Sequence, residues 1–306
     1  MPIQKSKKIW LDGKFVPWEK AQIHVLSHVV HYGSAVFEGI RCYKTRRGPA
    51  IFRLQDHVER FYNSAKIYRI PLAIPASAFS RAICDTVRVN GLSDCYVRPF
   101  AFRGFGEMGV NPLKNPVHMA IAAWPWGRYL GDHGMEHGIS VCVTSWSRLA
   151  PNTLPTLAKA GGNYLNSQLA KLEALRGGYD EGLVLDVNGF ISEGSGENVF
   201  LVRKGGLYTP HSGNSILPGI TRHAVISLAK DFGITVHQQS IQREGLYIAD
   251  EVFLTGTAAE VTPVREVDGI VVGNGKRGPI TKRLQDAFFG IVSGASPDAR
   301  GWLTYV

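Results

Sequence analysis

The chain has 306 residues, of which 44% are hydrophobic and 19% charged, and this composition describes a globular protein with enough material for one large or two medium domains. No apolar stretch approaches the length that spans a bilayer, and the lysine-bearing start lacks the apolar core of a secretory signal, so we expect a cytoplasmic protein without a membrane partner. The formal charge of +9 comes from scattered basic residues, among which no long Lys/Arg cluster or recognised nucleic-acid module appears, and a positive field would also suit anionic metabolites.

The first part of the chain predicts alternating strands and helices. Leu54, Val58, Phe61 and Ala65 recur at helical spacing, which indicates an amphipathic helix. The elements predicted here are a hairpin over 9–18 with its turn at Asp12-Gly13, strands over 36–43 and 50–54, helices over 54–69 and 76–90, and strands over 95–103 and 117–123.

A break in periodicity over 125–137 predicts an interdomain loop between a small domain, 1–124, and a large domain, 138–306. The large domain is predicted to contain a strand over 139–145, helices over 163–176, 219–232 and 279–292, a strand over 251–255, and a hairpin whose turn is Asn188-Gly189. The pattern predicts the α+β class in two domains.

Three other patterns predict no site. The cysteines lie in apolar runs without a C-x-x-C pair, so we interpret Cys42, Cys84, Cys95 and Cys142 as reduced core residues. Histidines 24, 28 and 31 fall at helical spacing, but no H-E-x-x-H sequence accompanies them, and packing or loop roles are expected instead of a metal site. The glycine pattern of 194–196 lacks the third glycine and the strand-to-helix context of a dinucleotide site.

Three side chains point to pyridoxal phosphate (PLP) chemistry. Lys159 lies between small residues, Tyr164 follows five positions later, and Glu193 opens a glycine-rich stretch. A PLP enzyme needs an amine for the cofactor aldehyde, a hydroxyl beside the ring oxygen, and a carboxylate that keeps the pyridine nitrogen protonated. The alternatives are a solvated loop lysine and an exposed hairpin glutamate.

Two segments are candidates for a phosphate cradle. Residues 218–221 open the predicted helix over 219–232, where Gly219 permits close approach and Thr221 offers a hydroxyl. Residues 255–258 follow a predicted strand. The alternative for Thr221 is that it only caps a helix.

Four segments, 31–41, 150–164, 217–222 and 256–264, closely resemble the branched-chain amino-acid aminotransferases, which are fold-type-IV PLP enzymes. The resemblance extends from about residue 9 to residue 302. It implies a two-domain fold with a smaller N-terminal α/β lobe and a larger C-terminal lobe with a β-barrel-like core. It also implies PLP as the cofactor.

The resemblance assigns roles to individual residues. Lys159 is the implied catalytic residue, covalently bound to PLP and the carrier of the transferred proton. The implied cofactor-binding residues are Arg60, Lys159, Tyr164, Glu193, Gly196, Leu217, Gly219, Ile220, Thr221, Gly256 and Thr257. The implied substrate-binding residues are Tyr32, Phe37, Gly39, Tyr96, Arg98, Val110, Tyr129, Thr257 and Ala258.

Arg98 is hard to explain by packing, because residues 96–100 otherwise have the pattern of a buried strand. In a family that alternates between aliphatic amino acids and glutamate, its guanidinium is expected to bind the side-chain carboxylate of glutamate.

The implied function is reversible amino transfer from leucine, isoleucine or valine to 2-oxoglutarate by a ping-pong mechanism. Family members are dimers or hexamers of dimers, and Tyr32 and Val110 are expected to complete the site of a neighbouring subunit. A D-amino-acid aminotransferase and an aminodeoxychorismate lyase are alternatives within the fold, and a basic nucleic-acid-binding protein is the alternative outside it. The loop 103–110 fits the family pattern less cleanly, which leaves the acceptance of aromatic or unusual amines open.

Overall fold

The computed structural model describes residues 3–127 and 131–306, with no side-chain description for 131–133. Contacts divide the chain into two compact units. The first comprises Met1–Gly127, Ala158–Gly162 and Ile291–Val306, and the second comprises Arg128–Leu157 and Asn163–Gly290. Part of the predicted interdomain loop, residues 128–130, lies outside the described residues, and the predicted domain boundaries stay a prediction.

The strands are β1 (Lys8–Leu11), β2 (Lys14–Pro17), β3 (Ala35–Phe37), β4 (Ile40–Thr45), β5 (Gly48–Phe52), β6 (Cys95–Arg103), β7 (Val117–Pro125), β8 (Ile139–Ser147), β9 (Glu181–Leu185), β10 (Ile191–Gly194), β11 (Asn198–Arg203), β12 (Gly206–Thr209), β13 (Val236–Gln238), β14 (Glu251–Gly256), β15 (Glu260–Val267), β16 (Ile270–Val271) and β17 (Leu303–Tyr305). The α-helices are α1 (His28–Tyr32), α2 (Leu54–Ile67), α3 (Ala76–Asn90), α4 (Gly131–His137), α5 (Tyr164–Arg176), α6 (Ile220–Asp231) and α7 (Pro279–Val292). Short 3₁₀ helices cover Trp18–Lys20, Gly161–Asn163, Ser212–Asn214 and Arg243–Gly245. Within the described residues, no helix is long and apolar enough to cross a membrane.

The first unit contains an antiparallel sheet in the order β17-β5-β4-β6-β7-β1-β2, with β3 also paired to β6. Helices α2 and α3 cover it through an aromatic cluster. Phe61 and Phe79 stack with centroids 5.0 Å apart, and Trp10 packs edge-on against Phe79 at 5.7 Å. Since buried aromatic side chains are each worth about 3–5 kcal/mol when truncated, this cluster fixes α2 on the sheet.

The second unit contains a sheet in the order β10-β9-β8-β15-β14-β11-β12-β13, with β16 paired to β15. Its register shifts in β10 between Ile191 and Glu193. A bulge of this kind changes the direction in which a side chain points and is common beside active sites. It precedes the Glu193 carboxylate.

The five predicted helices are confirmed with small differences at their ends, as α2, α3, α5, α6 and α7. The predicted strand over 36–43 was wrong as a single element, because the structure breaks it into β3 and β4 at Glu38 and Gly39. The register on β6 continues unchanged across the break, from Phe37↔Phe100 to Ile40↔Val97, which places Glu38 opposite Pro99. Proline has no N–H to donate, so the ladder is interrupted there.

Candidate active site

Lys159 is held in the first unit by backbone hydrogen bonds on both of its sides. Phe37 N donates to Lys159 O at 3.0 Å, and Lys159 N donates to Ser64 Oγ at 3.0 Å. The next residue, Ala160, forms an antiparallel bridge with Val36. The backbone of Lys159 therefore lies between β3 and α2, and the side chain is half-buried, which differs from the solvated loop lysine considered above.

The Phe37 ring lies beside two cations. Lys159 Nζ is 5.0 Å from its centroid, and Arg98 Cζ is 4.6 Å from the same centroid. Arg98 also lies 5.3 Å from the Tyr96 ring and donates a long bond, 3.4 Å, from Nη2 to the Tyr96 hydroxyl. Arg98 Nε is buried and has no hydrogen-bond partner among the residues that the structure describes. A buried donor in this state is a candidate for ligand binding.

Gly39 is required by space. A Cβ atom built on it would lie 1.7 Å from the Tyr96 hydroxyl oxygen, so the ring could not occupy its position beside a larger residue. The structure thus brings together five predicted site residues of the first unit, Lys159, Phe37, Gly39, Tyr96 and Arg98.

Arg60, on α2, forms a bidentate ion pair with Glu38, with Nε to Oε1 at 2.6 Å and Nη2 to Oε2 at 2.9 Å. His57 Nδ1 lies 2.7 Å from Glu38 Oε2. Ser64 Oγ, which accepts from Lys159 N, donates to Arg60 O at 2.8 Å. Arg60 and Lys159 are therefore connected through one serine on α2.

The remaining substrate residues of the first unit are exposed. Tyr32 is 45% exposed and Val110 is 87% exposed. The nearby histidines, for which packing or loop roles are expected, lie in α1 and contact backbone oxygens: His28 Nε2 is 3.0 Å from Gly109 O, and His31 Nε2 is 3.0 Å from Val25 O. Tyr129 lies outside the described residues.

Glu193 is the centre of the second unit's candidate residues. Its carboxylate is 5% exposed and pairs with Arg148, with Nε to Oε1 at 2.9 Å. Oε2 accepts from Leu217 N at 2.9 Å and from Asn198 Nδ2 at 3.2 Å. The alternative of an exposed hairpin carboxylate is therefore wrong. A buried carboxylate with a guanidinium partner remains ionised and can accept a proton-bearing ring nitrogen.

A second buried carboxylate, Glu197, lies four residues further along and has a different environment. Burial, followed by the charge of Glu181, raises the pKa of Glu197 well above its usual range. Its Oε2 accepts from Gly196 N at 3.0 Å, and it forms no ion pair in the described part of the chain. Since Glu193 has the cationic partner and Glu197 lacks one, Glu193 is the ionised member of the two.

The start of α6 has the features of an anion site. Gly219 is its N-cap residue and supplies no side-chain cap, and no acidic residue lies in the first turn. A Cβ atom on Gly219 would lie 2.0 Å from Asn198 Oδ1. Thr221 is buried inside the first turn, so the alternative that its hydroxyl only caps the helix is wrong. Exposed N–H groups at such an end attract phosphate.

The other second-unit candidates have these positions. Tyr164 is the first residue of α5 and is half-buried. Gly256 ends β14, where a Cβ atom would lie 3.4 Å from Gly196 O, and the half-buried Thr257 and Ala258 follow it. The hydrogen bonds of Glu193 and Asn198 bring together Glu193, Leu217 and Gly219, with Ile220 and Thr221 in the adjoining turn.

Three polar residues were missed by sequence reasoning: Arg148, Glu38 and His57. Arg148 follows a predicted strand and has no motif around it, so its pairing with Glu193 could be found only from the fold. Glu38 lies inside the family-like segment 31–41, and His57 lies three residues before Arg60, one helical turn away. That spacing was the available signal.

Comparison with known proteins agrees with this geometry. The family profile "Amino-transferase class IV" matches residues 35–267. The branched-chain-amino-acid aminotransferase of Escherichia coli (strain K12) is 54% identical over 100% of this chain and 99% of its own length. The crystal structure of the Escherichia coli branched-chain amino acid aminotransferase aligns with a TM-score of 0.96 at 55% identity, covering 98% of this chain and 99% of that one.

A second solved structure is the branched-chain amino acid aminotransferase from Thermobaculum terrenum in its PLP-bound holo-form, with a TM-score of 0.91 and 36% identity over 98% of this chain and 98% of that one. These matches confirm the expected α+β, fold-type-IV fold. The chain belongs to the class IV aminotransferase family, and within it to the branched-chain-amino-acid aminotransferases.

Proposed function

We propose that this chain catalyses the reversible transfer of the amino group of leucine, isoleucine or valine to 2-oxoglutarate, giving branched 2-oxo acids and L-glutamate, with PLP as cofactor. The proposal depends on one observation: the Phe37 ring contacts both Lys159 Nζ and the Arg98 guanidinium. A single apolar wall there lies beside an amine for catalysis and a cation for a carboxylate. The relatives named above support the same activity.

The residues present fit PLP. Glu193, kept ionised by Arg148, suits a protonated ring nitrogen, and the start of α6, where Gly219 provides no side-chain cap, suits a phosphate. When bound, PLP supplies an electron sink for the negative charge that develops at the substrate α-carbon. The residues proposed to hold it are Arg60, Lys159, Tyr164, Glu193, Gly196, Leu217, Gly219, Ile220, Thr221, Gly256 and Thr257.

Lys159 is proposed to be the proton carrier. Its Nζ would accept the proton from the substrate α-carbon as a general base and later donate that proton as a general acid, so that one amine completes the proton shift. The bridge at Ala160 and the hydrogen bonds at Phe37 and Ser64 hold its backbone in place. A fixed backbone limits the search of the flexible lysine side chain, which is how orientation accelerates a proton transfer.

Dual substrate recognition is proposed to depend on one apolar wall and one cation. Aliphatic side chains would lie on Phe37, and the glutamate side-chain carboxylate would pair with Arg98. The residues proposed for substrate binding are Tyr32, Phe37, Gly39, Tyr96, Arg98, Val110, Tyr129, Thr257 and Ala258. The exchange between the two amino acids would follow a ping-pong cycle.

We propose a homo-oligomer, a dimer or a hexamer of dimers, in which Tyr32 and Val110 complete the site of a neighbouring copy. Large apolar side chains are exposed around both residues: Ile23, Val25, Leu26, Val30, Phe105 and Met108. Such a patch is typical of a protein interface. Light scattering of the purified chain tests this, and a monomer at micromolar concentration would contradict it.

A cytoplasmic location and the domain boundaries 1–124, 125–137 and 138–306 stay proposals. All four cysteines are free thiols, which fits a reducing compartment.

Two measurements test the proposed function. Borohydride reduction followed by peptide mapping should place the cofactor on Lys159, and a label on another lysine would contradict the assignment. A panel of L- and D-amino acids with 2-oxoglutarate should show L-leucine, L-isoleucine and L-valine as the preferred donors. Preference for D-amino acids, or release of pyruvate from aminodeoxychorismate, would favour the alternatives within the fold.

A further inference from the structure

We propose that His57 and Glu38 are positioning residues that hold the Arg60 guanidinium in the orientation that binds the cofactor phosphate. The inference rests on the proposed function, since it gives Arg60 its ligand. It assigns a task to a buried histidine and a buried glutamate that neither the cofactor nor the substrate assignment uses.

Both oxygens of the Glu38 carboxylate accept hydrogen bonds. Glu38 is 0% exposed, and its two oxygens meet both Nε and Nη2 of Arg60. Oε2 additionally lies 2.7 Å from His57 Nδ1 and accepts from Gly39 N at 3.3 Å. Because a bidentate fork fixes the plane of a guanidinium, Glu38 determines which way the plane of Arg60 faces.

Glu38 itself is anchored to the sheet. Its backbone N donates to Pro99 O at 2.8 Å, beside the break between β3 and β4. Without the ion pair to Glu38, the Arg60 side chain would populate many rotamers, and ordering such a side chain costs up to about 2 kcal/mol. The ion pair removes that freedom before any phosphate arrives, which is the physical content of preorganisation.

The protonation states follow from the surroundings. Burial alone would raise the pKa of Glu38, but the charge of Arg60 and the hydrogen bonds from His57 and Arg60 outweigh it and hold that pKa far below its usual range. Burial lowers the pKa of His57, with Arg60 and Lys159 acting in the same direction against Glu38. A neutral imidazole facing an ionised carboxylate must carry its proton on Nδ1, so His57 is a donor to Glu38.

A purely structural explanation is weaker. Helix α2 already packs through Leu54, Val58, Phe61 and Ala65, all of them nearly fully buried. Buried ion pairs contribute little net stability compared with apolar side chains of similar size, because both charges must lose their water. The polar group is therefore better explained by the orientation that it gives Arg60 than by stability.

The test compares binding of PLP with binding of pyridoxal, which has the same ring and aldehyde but no phosphate. Equilibrium titration of the full-length chain, followed by cofactor absorbance, is done for wild type, His57→Leu and His57→Asn. The Asn amide nitrogen can occupy the position of Nδ1, whereas Leu has no donor. His57→Gln, whose amide reaches the Nε2 position instead, serves as a second variant if the Leu protein does not fold.

We expect His57→Leu to weaken PLP binding by about 10- to 100-fold, the range for losing a charge-assisted hydrogen bond, and pyridoxal binding by less than about twofold. His57→Asn should stay within a few-fold of wild type for both ligands. In an Arg60→Met background, His57→Leu should have no further effect on PLP, because the two residues act on the same contact.

Equal losses for PLP and pyridoxal, or additive losses in the double variant, would overturn the inference and leave the proposed function intact. PLP binding that is as weak in His57→Asn as in His57→Leu would also overturn the inference. Wild-type protein that binds neither ligand would overturn both the inference and the proposed function.

Discussion

Replacing Arg98 by methionine separates substrate recognition from packing. Methionine keeps an unbranched apolar side chain as far as the position of Nε and removes the charge and the donors. Arg98 Nε has no partner in the described structure, and the guanidinium's hydrogen bond to Tyr96 is a long one. The variant therefore removes few internal contacts, and its main loss should appear when a carboxylate is bound.

The magnitude follows from the surroundings of Arg98. Loss of one partner of a buried charge pair costs about 2–5 kcal/mol, and because Arg98 is only half-buried we take the lower part, about 2–3 kcal/mol. At about 1.4 kcal/mol per tenfold this is roughly 30- to 150-fold for glutamate and 2-oxoglutarate. The two lost cation–π contacts are worth about 0.5–1 kcal/mol each, together about 5- to 30-fold, and affect all substrates alike. Leucine should therefore lose at most about 30-fold, and for glutamate the loss of the carboxylate contact is added to this.

The assay is the half-reaction under single-turnover conditions, with leucine and glutamate measured separately and followed by cofactor absorbance. Arg98→Lys is the matched control, since it keeps the charge and loses the planar fork, and it should fall between wild type and Met for glutamate. A melting temperature is measured for each variant. Equal losses for leucine and glutamate, accompanied by a lower melting temperature, would refute the assignment of Arg98 to the carboxylate.

Three further predictions concern the other buried charges and the catalytic amine. Lys159→Ala should still bind PLP weakly and lose turnover by several orders of magnitude, measured with leucine and 2-oxoglutarate; retention of more than about a tenth of the activity would remove its catalytic role. Glu193→Gln should slow the leucine half-reaction by roughly 100- to 1000-fold with an unchanged melting temperature. Arg148→Met should slow it less, since Arg148 acts through Glu193. An unchanged rate in Glu193→Gln would show that this carboxylate has no role in the chemical step. The pKa of Glu197 is raised in the folded state, so the folded protein keeps a proton that the unfolded chain releases above about pH 4.3. The stability of the wild type should therefore fall as the pH rises above that value. Glu197→Gln should have a higher melting temperature than wild type at about pH 8 but not at about pH 5.

Much of the fold could be predicted from local periodicity. The apolar spacing in 54–69 and 76–90 and the glycine at position 91 correspond closely to α2 and α3, because one face of each helix is buried on the sheet. Two helices could not be predicted this way. Helix α1 has five residues, too few to show a period, and α4 falls where the sequence indicated an interdomain loop.

The candidate site was predicted unevenly, for a physical reason. Lys159, Tyr164 and Glu193 could be proposed from the sequence because their residue types and neighbours match what the chemistry of the cofactor requires. Arg148 has no such requirement: it lies 45 residues before Glu193 and is brought to it only by the pairing of strands in the second sheet. Supporting contacts of this kind depend on the fold, and no characteristic spacing of residues in the sequence reveals them.

The break between β3 and β4 shows how one local irregularity can serve several site residues. Pro99 lacks an N–H, so the ladder cannot continue at the position opposite Glu38. The Glu38 side chain is buried against Arg60 and His57, while the next residue, Gly39, leaves the space that the Tyr96 hydroxyl occupies. An uninterrupted strand over 36–43 was the natural expectation from β propensity, and it failed at the residues that support the site. Departures from local rules are expected to concentrate where function requires a particular side-chain position, and this one lies between the arginine proposed for phosphate and the arginine proposed for substrate.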